Sequence, residues 1–187
     1  MQIGLYFCLR SCKYTKTNSH RQTTQLRLRD IQFQDARKAI PFKSPASLFL
    51  TALVVDLFLN TQKNSFHGES IIMENNRMLL GRPVVACTRR YLHLHDNEAD
   101  LGMPICVYFD RKGGVGKSVT SNHLVALLRL WVGNIGFARL GFHLHNIGFH
   151  YLRLGGAMTL HQPGQYDSSI TVIGRWRSDV FLIYLEE

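Results

Sequence analysis

The chain is 187 residues long, 45% hydrophobic and 19% charged, enough apolar content for one packed domain and too much for a disordered chain. Its charge is lopsided, with 22 Lys+Arg against 13 Asp+Glu and a net +9, which points to a polyanionic partner, nucleic acid first. The pattern argues against secretion and membrane insertion: Ile3–Leu9 is too short for a signal core and lacks a charged leader, and the apolar stretch Ser47–Leu59 contains Asp56 and falls short of the about 20 residues a span needs.

In chain order, residues 1–14 read as helical and apolar on one side, and 15–24 as a polar loop. Gln25–Phe33 alternates, with Leu26, Leu28 and Ile31 against Arg27, Arg29 and Asp30, a strand signal. Residues 34–47, with Pro41 and Pro45, read as a loop. Val54–Leu59 and Gly68–Met73 are short strands around the polar Gln62-Lys63-Asn64, so a hairpin is expected with Lys63 near its tip. Residues 74–82 read as another loop. Pro83–His95 returns to helical spacing, with Val84, Cys87, Tyr91 and Leu94 on one side and Arg89 and Arg90 beside them.

An acidic loop at 96–100 precedes the apolar run Ile105–Phe109. Thr120–Trp131 places Leu124, Leu127, Leu128 and Trp131 at helical spacing, with Gly133 and Gly136 as stops. Leu152–His161 and Ser169–Ile173 read as helices separated by a Pro163-Gly164 turn, and Ser178–Leu185 as a last one starting at Ser178 or Asp179. The order is a helix, a small antiparallel sheet, then mainly helices: an α+β arrangement, mainly helical, with the sheet near the N-terminal half.

Cys8, Cys12, Cys87 and Cys106 form no CxxC pair, and buried thiols in a reducing compartment are expected. The pairs His93/His95 and His143/His145 have no acidic partners at a recognised metal spacing, so no metal site is expected.

The most conspicuous motif is Lys112-Gly113-Gly114-Val115-Gly116-Lys117-Ser118. It fits the variant phosphate loop of chromosome-partitioning and septum-site ATPases, in which glycine N–H groups cradle phosphates, Lys117 neutralises charge and Ser118 holds Mg²⁺. Against that, Arg111 stands where the general pattern has its first glycine. The residues after Ser118 also show no further buried strand ending in an Asp that could assist Mg²⁺.

A quieter constellation closes the chain: His150 and Arg153 three apart, then Gly174-Arg175-Trp176, then Tyr184. Breaking a phosphodiester needs a nucleophile, cations for the transition-state charge and a proton donor for the leaving oxygen. Tyrosine can form a covalent phosphotyrosine, arginine offers a planar fork to non-bridging oxygens, and histidine moves protons near neutral pH.

Here the sequence resembles the tyrosine recombinase (phage integrase) family across nearly its whole length. IGLYFCLRSCKY (3–14) resembles the segment of the first catalytic arginine, which falls on Arg10. LNTQKNSFHGES (59–70) resembles the hairpin of the catalytic lysine, Lys63. HYLRLGGAMTL (150–160) resembles the His-x-x-Arg box, giving His150 and Arg153. IGRWRSDVFLIYL (173–185) resembles the closing segment of integrase-like proteins of mobile elements, with Tyr184 as nucleophile. Arg175 stands where the family has His or Trp, and the adjacent Trp176 is the preferred occupant of that role because it can pack and donate a hydrogen bond. In this context the segment 104–128 is a short extended run, a glycine-basic turn and a helix, with no ATP.

The resemblance implies one catalytic domain over 1–187, truncated at both ends and without the family's N-terminal core-binding domain. It implies double-stranded DNA as partner, self-association on DNA, no membrane, no metal and no cofactor, and a place inside the cell with the DNA (the nucleus in a eukaryote). Arg27, Arg29, Arg89 and Arg90 are expected on backbone phosphates. Lys13 stands where the family carries an acid, so it is expected to repel Arg10 rather than buttress it, and Lys13→Glu to cut DNA better. Two further readings stand beside this one: a non-catalytic, DNA-binding remnant of a mobile element, and a phosphate-loop ATPase using Gly113, Gly114, Gly116, Lys117 and Ser118.

Overall fold

The structure, a computed structural model, describes residues 2–13, 15–16, 24–36, 38–61, 68–75, 81–97, 99–109, 116–136, 145, 147–161, 166–176 and 182. Helices α1 (Gln2–Tyr6), α2 (Ala46–Leu50), α3 (Gly81–Asp96), α4 (Ser121–Ile135), α5 (Phe149–His161) and α6 (Asp167–Gly174) surround two antiparallel sheets. The larger sheet contains β1 (Ile31–Asp35), β2 (Lys38–Ile40), β3 (Val54–Leu59) and β4 (Glu69–Glu74) in the order β2-β1-β3-β4. The smaller pairs β5 (Val107–Phe109) with β6 (Gly116–Ser118). This is the α+β arrangement expected, with the four-stranded sheet in the N-terminal half.

The period-2 pattern explains the larger sheet. Phe33, Val55, Leu57, Leu59, Ile71 and Met73 face inward, while Gln32, Phe58, Ser70 and Ile72 face solvent. Helix α3 covers the inner face with Val84, Cys87, Tyr91 and Leu94, all buried. At the centre Tyr91 meets Phe33 edge-on at 5.2 Å and Phe49 at 4.5 Å, and its hydroxyl donates to the Phe42 carbonyl at 2.9 Å. Helix α1 packs on both α3 and α5. A second, smaller core of Cys8, Ala157, Leu160 and Ile170 holds α5 and α6 to the N-terminal segment.

Four local expectations are corrected. Helix α1 stops at Tyr6 because Cys8 takes a left-handed conformation (φ 47°), and a separate 3₁₀ turn follows at Ser11–Lys13. The strand expected over 25–33 begins only at Ile31, since Leu28–Asp30 is a 3₁₀ turn whose Asp30 carboxylate accepts the Arg27 N–H at 2.8 Å. Residues 34–47 are not one loop: β2 lies within them and α2 begins at Ala46. Gly133 lies inside α4, which ends at Gly136 (φ 87°).

Among the described residues no helix is long and apolar enough to cross a membrane, and no three His, Cys, Asp or Glu side chains gather as a metal site.

Candidate phosphate-binding site

The second core carries a cluster of cations on its margin. Arg153 rises from α5 one turn after His150, so the i, i+3 spacing puts both positions on one helical face. The Arg153 Nη2 donates to the Gly174 carbonyl at 2.5 Å, and its guanidinium lies 4.6 Å from the centre of the Trp176 ring. Trp176 is brought there by the turn that ends α6. Arg175 is left-handed (φ 54°), with its N–H donating to the Val172 carbonyl and that of Trp176 to the Thr171 carbonyl, both at 3.1 Å. The Trp176 ring folds over Gly174 so closely that any side chain at Gly174 would collide with it.

Arg175 turns inward from the same turn, and its Nη2 donates to the Cys8 carbonyl at 3.4 Å across 167 residues of sequence. The left-handed Cys8 therefore redirects the chain toward Arg10 and presents the carbonyl that Arg175 takes. Close packing makes this possible: a Cβ on Gly156 of α5 would collide with the Leu5 carbonyl oxygen and lie 2.9 Å from the Cys8 sulfur. Gly156 is thus the point where α5, and Arg153 with it, approaches the N-terminal segment.

The electrostatics show how near these groups are to one another. Burial lowers the Arg153 pKa first, and the charge of Arg10 lowers it further. Burial holds Arg175 down to about 10, followed by the charges of Arg153 and then Arg10, with Cys8 and Glu69 acting in the opposite direction. Burial pushes the Cys8 thiol up to about 12 despite both arginines, so Cys8 serves as packing and as a carbonyl, not as a nucleophile. Among the described residues no carboxylate is in ion-pair range of Arg10, Arg153 or Arg175. Two guanidinium nitrogens, Arg153 Nε and Arg175 Nη1, are buried with no hydrogen-bond partner. Burying a charge without a partner is costly, and a buried polar atom normally has one. An oxyanion with several acceptor oxygens fits this gap in charge and in hydrogen-bonding capacity.

The structure thus brings Arg10, Arg153, Arg175 and Trp176 together. Trp176 covers Arg153, while Arg175 joins the cations. Lys63, Tyr184, Gly113 and Gly114 lie outside the described residues, as do the side chain of His150, His143, the Pro163-Gly164 turn and all of the helix expected over 178–185 except Leu182. Thr61 and Glu69, on either side of the segment containing Lys63, both act at the cluster: Thr61 takes the Lys13 ammonium, and the Glu69 charge is felt by Arg175.

Lys13, Arg90 and the glycine-rich motif each have a distinct setting. The charges of Lys13 and Arg10 oppose each other, as expected, with Lys13 itself buried. It is 6% exposed and donates to the Thr61 carbonyl, with its Nζ also 3.4 Å from Thr61 Oγ1. Burial lowers its pKa first; Cys12 raises it, Arg175 lowers it, Asp30 raises it and Arg10 lowers it again. Arg90 is withdrawn from any DNA backbone, because its Nε and Nη2 donate at 2.5 Å to the Ile105 and Val107 carbonyls and tie α3 to the β5 segment. Arg27, Arg29 and Arg89 are exposed, as a backbone-binding role requires.

The glycine-rich motif is also corrected. Lys117 and Ser118 lie in β6, paired antiparallel with Tyr108 and Val107, and Thr120 caps α4 by accepting the His123 N–H. In a phosphate loop these residues open a helix after a strand of a parallel sheet. All strand-to-strand pairings among the described residues are antiparallel.

A groove of about 560 Å³ lies elsewhere, lined by Ile3, Arg89, Leu124, Leu127 and Trp131 among others, and it shares no lining residue with the cation cluster. Its walls are mostly apolar and its Arg90 is already bonded, so the charged cluster is the better chemical candidate.

Sequence reasoning missed Cys8, Thr61 and Gly156. Only Gly156 carried a signal, since a Gly155-Gly156 pair inside a helix costs stability and usually marks a close approach. Comparisons of the chain with family models, with curated proteins and with solved structures find no match.

Proposed function

We propose that this domain breaks and rejoins double-stranded DNA through a 3′-phosphotyrosine, as the tyrosine recombinases it resembles do. The observation that carries the reading is the convergence of Arg10, Arg153 and Arg175, from segments far apart in sequence, without a carboxylate partner among the described residues and with two buried guanidinium nitrogens unpartnered. Surface cations do not gather in this way unless an anion offsets their repulsion.

In this reading the Tyr184 oxygen attacks the scissile phosphate, and His150 assists the transfer of its proton. Arg10, Arg153 and Arg175 stabilise the charge on the five-coordinate phosphorus, with Trp176 holding the Arg153 plane. Lys63 gives a proton to the leaving 5′-oxygen. A 5′-hydroxyl from a second strand reverses the step. Exposed Arg27, Arg29 and Arg89, together with the net +9, support binding to the duplex backbone and predict strong salt dependence.

The test is a nicked duplex that traps the cleaved state, incubated with the protein in EDTA and without ATP. A denaturation-resistant protein–DNA adduct, lost in Tyr184→Phe, is expected. Salt-sensitive binding with no adduct would refute catalysis and leave a DNA-binding remnant.

A further inference from the structure

We propose that the outer face of the larger sheet binds an unpaired nucleotide: an amino-bearing base donates to Asp56 and stacks on Phe58, and its phosphate meets Arg29. The inference takes its nucleic-acid partner from the reading above and none of that reading's chemistry.

Strand β2 pairs with β1 only over Phe33–Asp35, so among the described residues Ile31 and Gln32 have no strand beside them on that edge. A cavity of about 520 Å³ opens there, lined by Gln32, Asp56, Phe58, Ser70 and Arg29 among others. That volume is of the size that holds a small ligand. The pleat sets the strand residues on one face: Gln32 stands opposite Asp56 across β1 and β3, and Phe58 opposite Ser70 across β3 and β4.

The Asp56 carboxylate is held at one oxygen only. The Ser70 hydroxyl donates to Oδ2 at 3.2 Å, whereas Oδ1 is buried with no hydrogen-bond partner. A buried acceptor without a donor costs stability, so this oxygen calls for an N–H from outside the chain. Two large apolar side chains flank it on a face that otherwise meets water: Phe58, 43% exposed, and Ile72, 59% exposed and opposite Asp56 in the ladder. The Phe58 ring lies over Gly68, where any side chain would collide with it. Arg29 adds an exposed cation to the same cavity.

A ligand that meets all three groups carries an N–H donor, a flat ring and an anion. A simple amine would use Asp56 alone and leave the ring and Arg29 idle. A nucleotide has all three features. Carboxylates accept from the cytosine amino group, bases stack on aromatic side chains, and arginine takes phosphate. Within a duplex the faces of a base are covered by its neighbours, so the nucleotide must be unpaired.

The test is a ligand-observed NMR titration with dCMP and dUMP, which present an amine and a carbonyl at the same ring position. The unaltered protein should bind dCMP about tenfold tighter, the worth of one hydrogen bond to a charged group. Asp56→Asn, whose amide can donate to the uracil carbonyl, should abolish the preference. Phe58→Ala should weaken both nucleotides alike, by about tenfold. Arg29→Met should weaken dCMP more than deoxycytidine. Thermal melts check that each variant is folded.

No binding of either nucleotide, equal binding of the two by the unaltered protein, or a preference that survives Asp56→Asn would overturn the proposal. A duplex with one bulged cytosine should also bind tighter than the fully paired duplex. Equal binding of the two duplexes sinks this inference and leaves the recombinase reading standing. A cytosine preference in a protein that forms no adduct on nicked DNA does the reverse.

Discussion

Two segments of this chain combine glycine with basic residues, and they end in opposite environments. In Gly116-Lys117-Ser118 the lysine sits exposed on an antiparallel strand of a two-stranded sheet. In Gly174-Arg175-Trp176 a left-handed turn drives one guanidinium inward and lays an aromatic ring over a second. The first segment matches a known phosphate-binding pattern by its letters, whereas the second gathers cations that are partly withdrawn from water, as a phosphate site requires. The lysine on the open strand is exposed.

The largest effect expected on that contrast is at Arg153. Removing a preorganised donor from a developing oxyanion typically costs about 10²–10³ in rate, so Arg153→Ala should lose at least that much adduct on nicked DNA. Arg153→Lys should recover little, because an ammonium can neither replace the fork that reaches Gly174 nor stack on Trp176. Cleavage within several-fold of the unaltered protein in Arg153→Ala would move the chemistry away from the quiet segment.

Gly156→Ala comes next. The added methyl would collide with the Leu5 carbonyl and press on the Cys8 sulfur, so α5 must withdraw from α1. Overpacking of this kind costs about 1–3 kcal/mol, to be read as a lower denaturation midpoint. Adduct yield should fall with it, because Arg153 moves with the helix. Gly155→Ala is the control. Its Cβ would lie an ordinary 3.4 Å from Leu5 Cδ1, so stability and cleavage should hardly change.

Arg175→Met tests whether the cluster lacks an anion. A base held below its ordinary pKa in the folded state binds its proton more weakly there than in the unfolded chain. Its charge therefore costs stability at neutral pH, and stability should rise as pH climbs from about 10 toward 12.5. Replacing Arg175 with a neutral side chain should accordingly raise the melting temperature by a few degrees. Phosphate or a short duplex, which offsets more repulsion in the unaltered protein than in the variant, should narrow that gap. A variant that melts lower than the unaltered protein would mean that Arg175 is held by the fold for stability, not for a ligand.

The fold was legible in the β-branched and aromatic run Val54–Leu59 and in the stripe Val84, Cys87, Tyr91 and Leu94, because one face of each element covers the same core. The alternation through Gln25–Phe33 misled, since Leu28–Asp30 is a 3₁₀ turn. The N-terminal helix ran long because nothing in Phe7-Cys8 announces a left-handed residue; glycine or asparagine would have. The site residues were expected as a set of types in order, which resemblance supplied, and of these the structure gathers Arg10, Arg153 and Trp176. Their directions were not legible, since Arg90 and Lys13 find backbone carbonyls supplied by distant segments, and a carbonyl leaves no trace in sequence. Trp176 was preferred to Arg175 on residue type alone, whereas the turn gives each a different contact: Trp176 lies over the Arg153 guanidinium and Arg175 reaches the Cys8 carbonyl.

The smallest effect expected is at Lys117, and its smallness gives the contrast its content. Lys117 is exposed, pairs with Tyr108 in the ladder through its backbone, and precedes the α4 cap by three residues. Truncating an exposed side chain leaves those backbone contacts intact, so Lys117→Ala should destabilise the protein less than Gly156→Ala. Adduct formation should be unchanged. Binding to duplex DNA should weaken only by the share of one non-specific charge, visible as a slightly shallower salt dependence. ATP should not raise the melting temperature of either protein. A clear ATP-dependent stabilisation that vanished in Lys117→Ala would mean that the glycine segment leaves the ladder to take phosphates. The geometry of β5 and β6 would then be one of two states, and the contrast between the two segments would no longer separate a phosphate site from a connection.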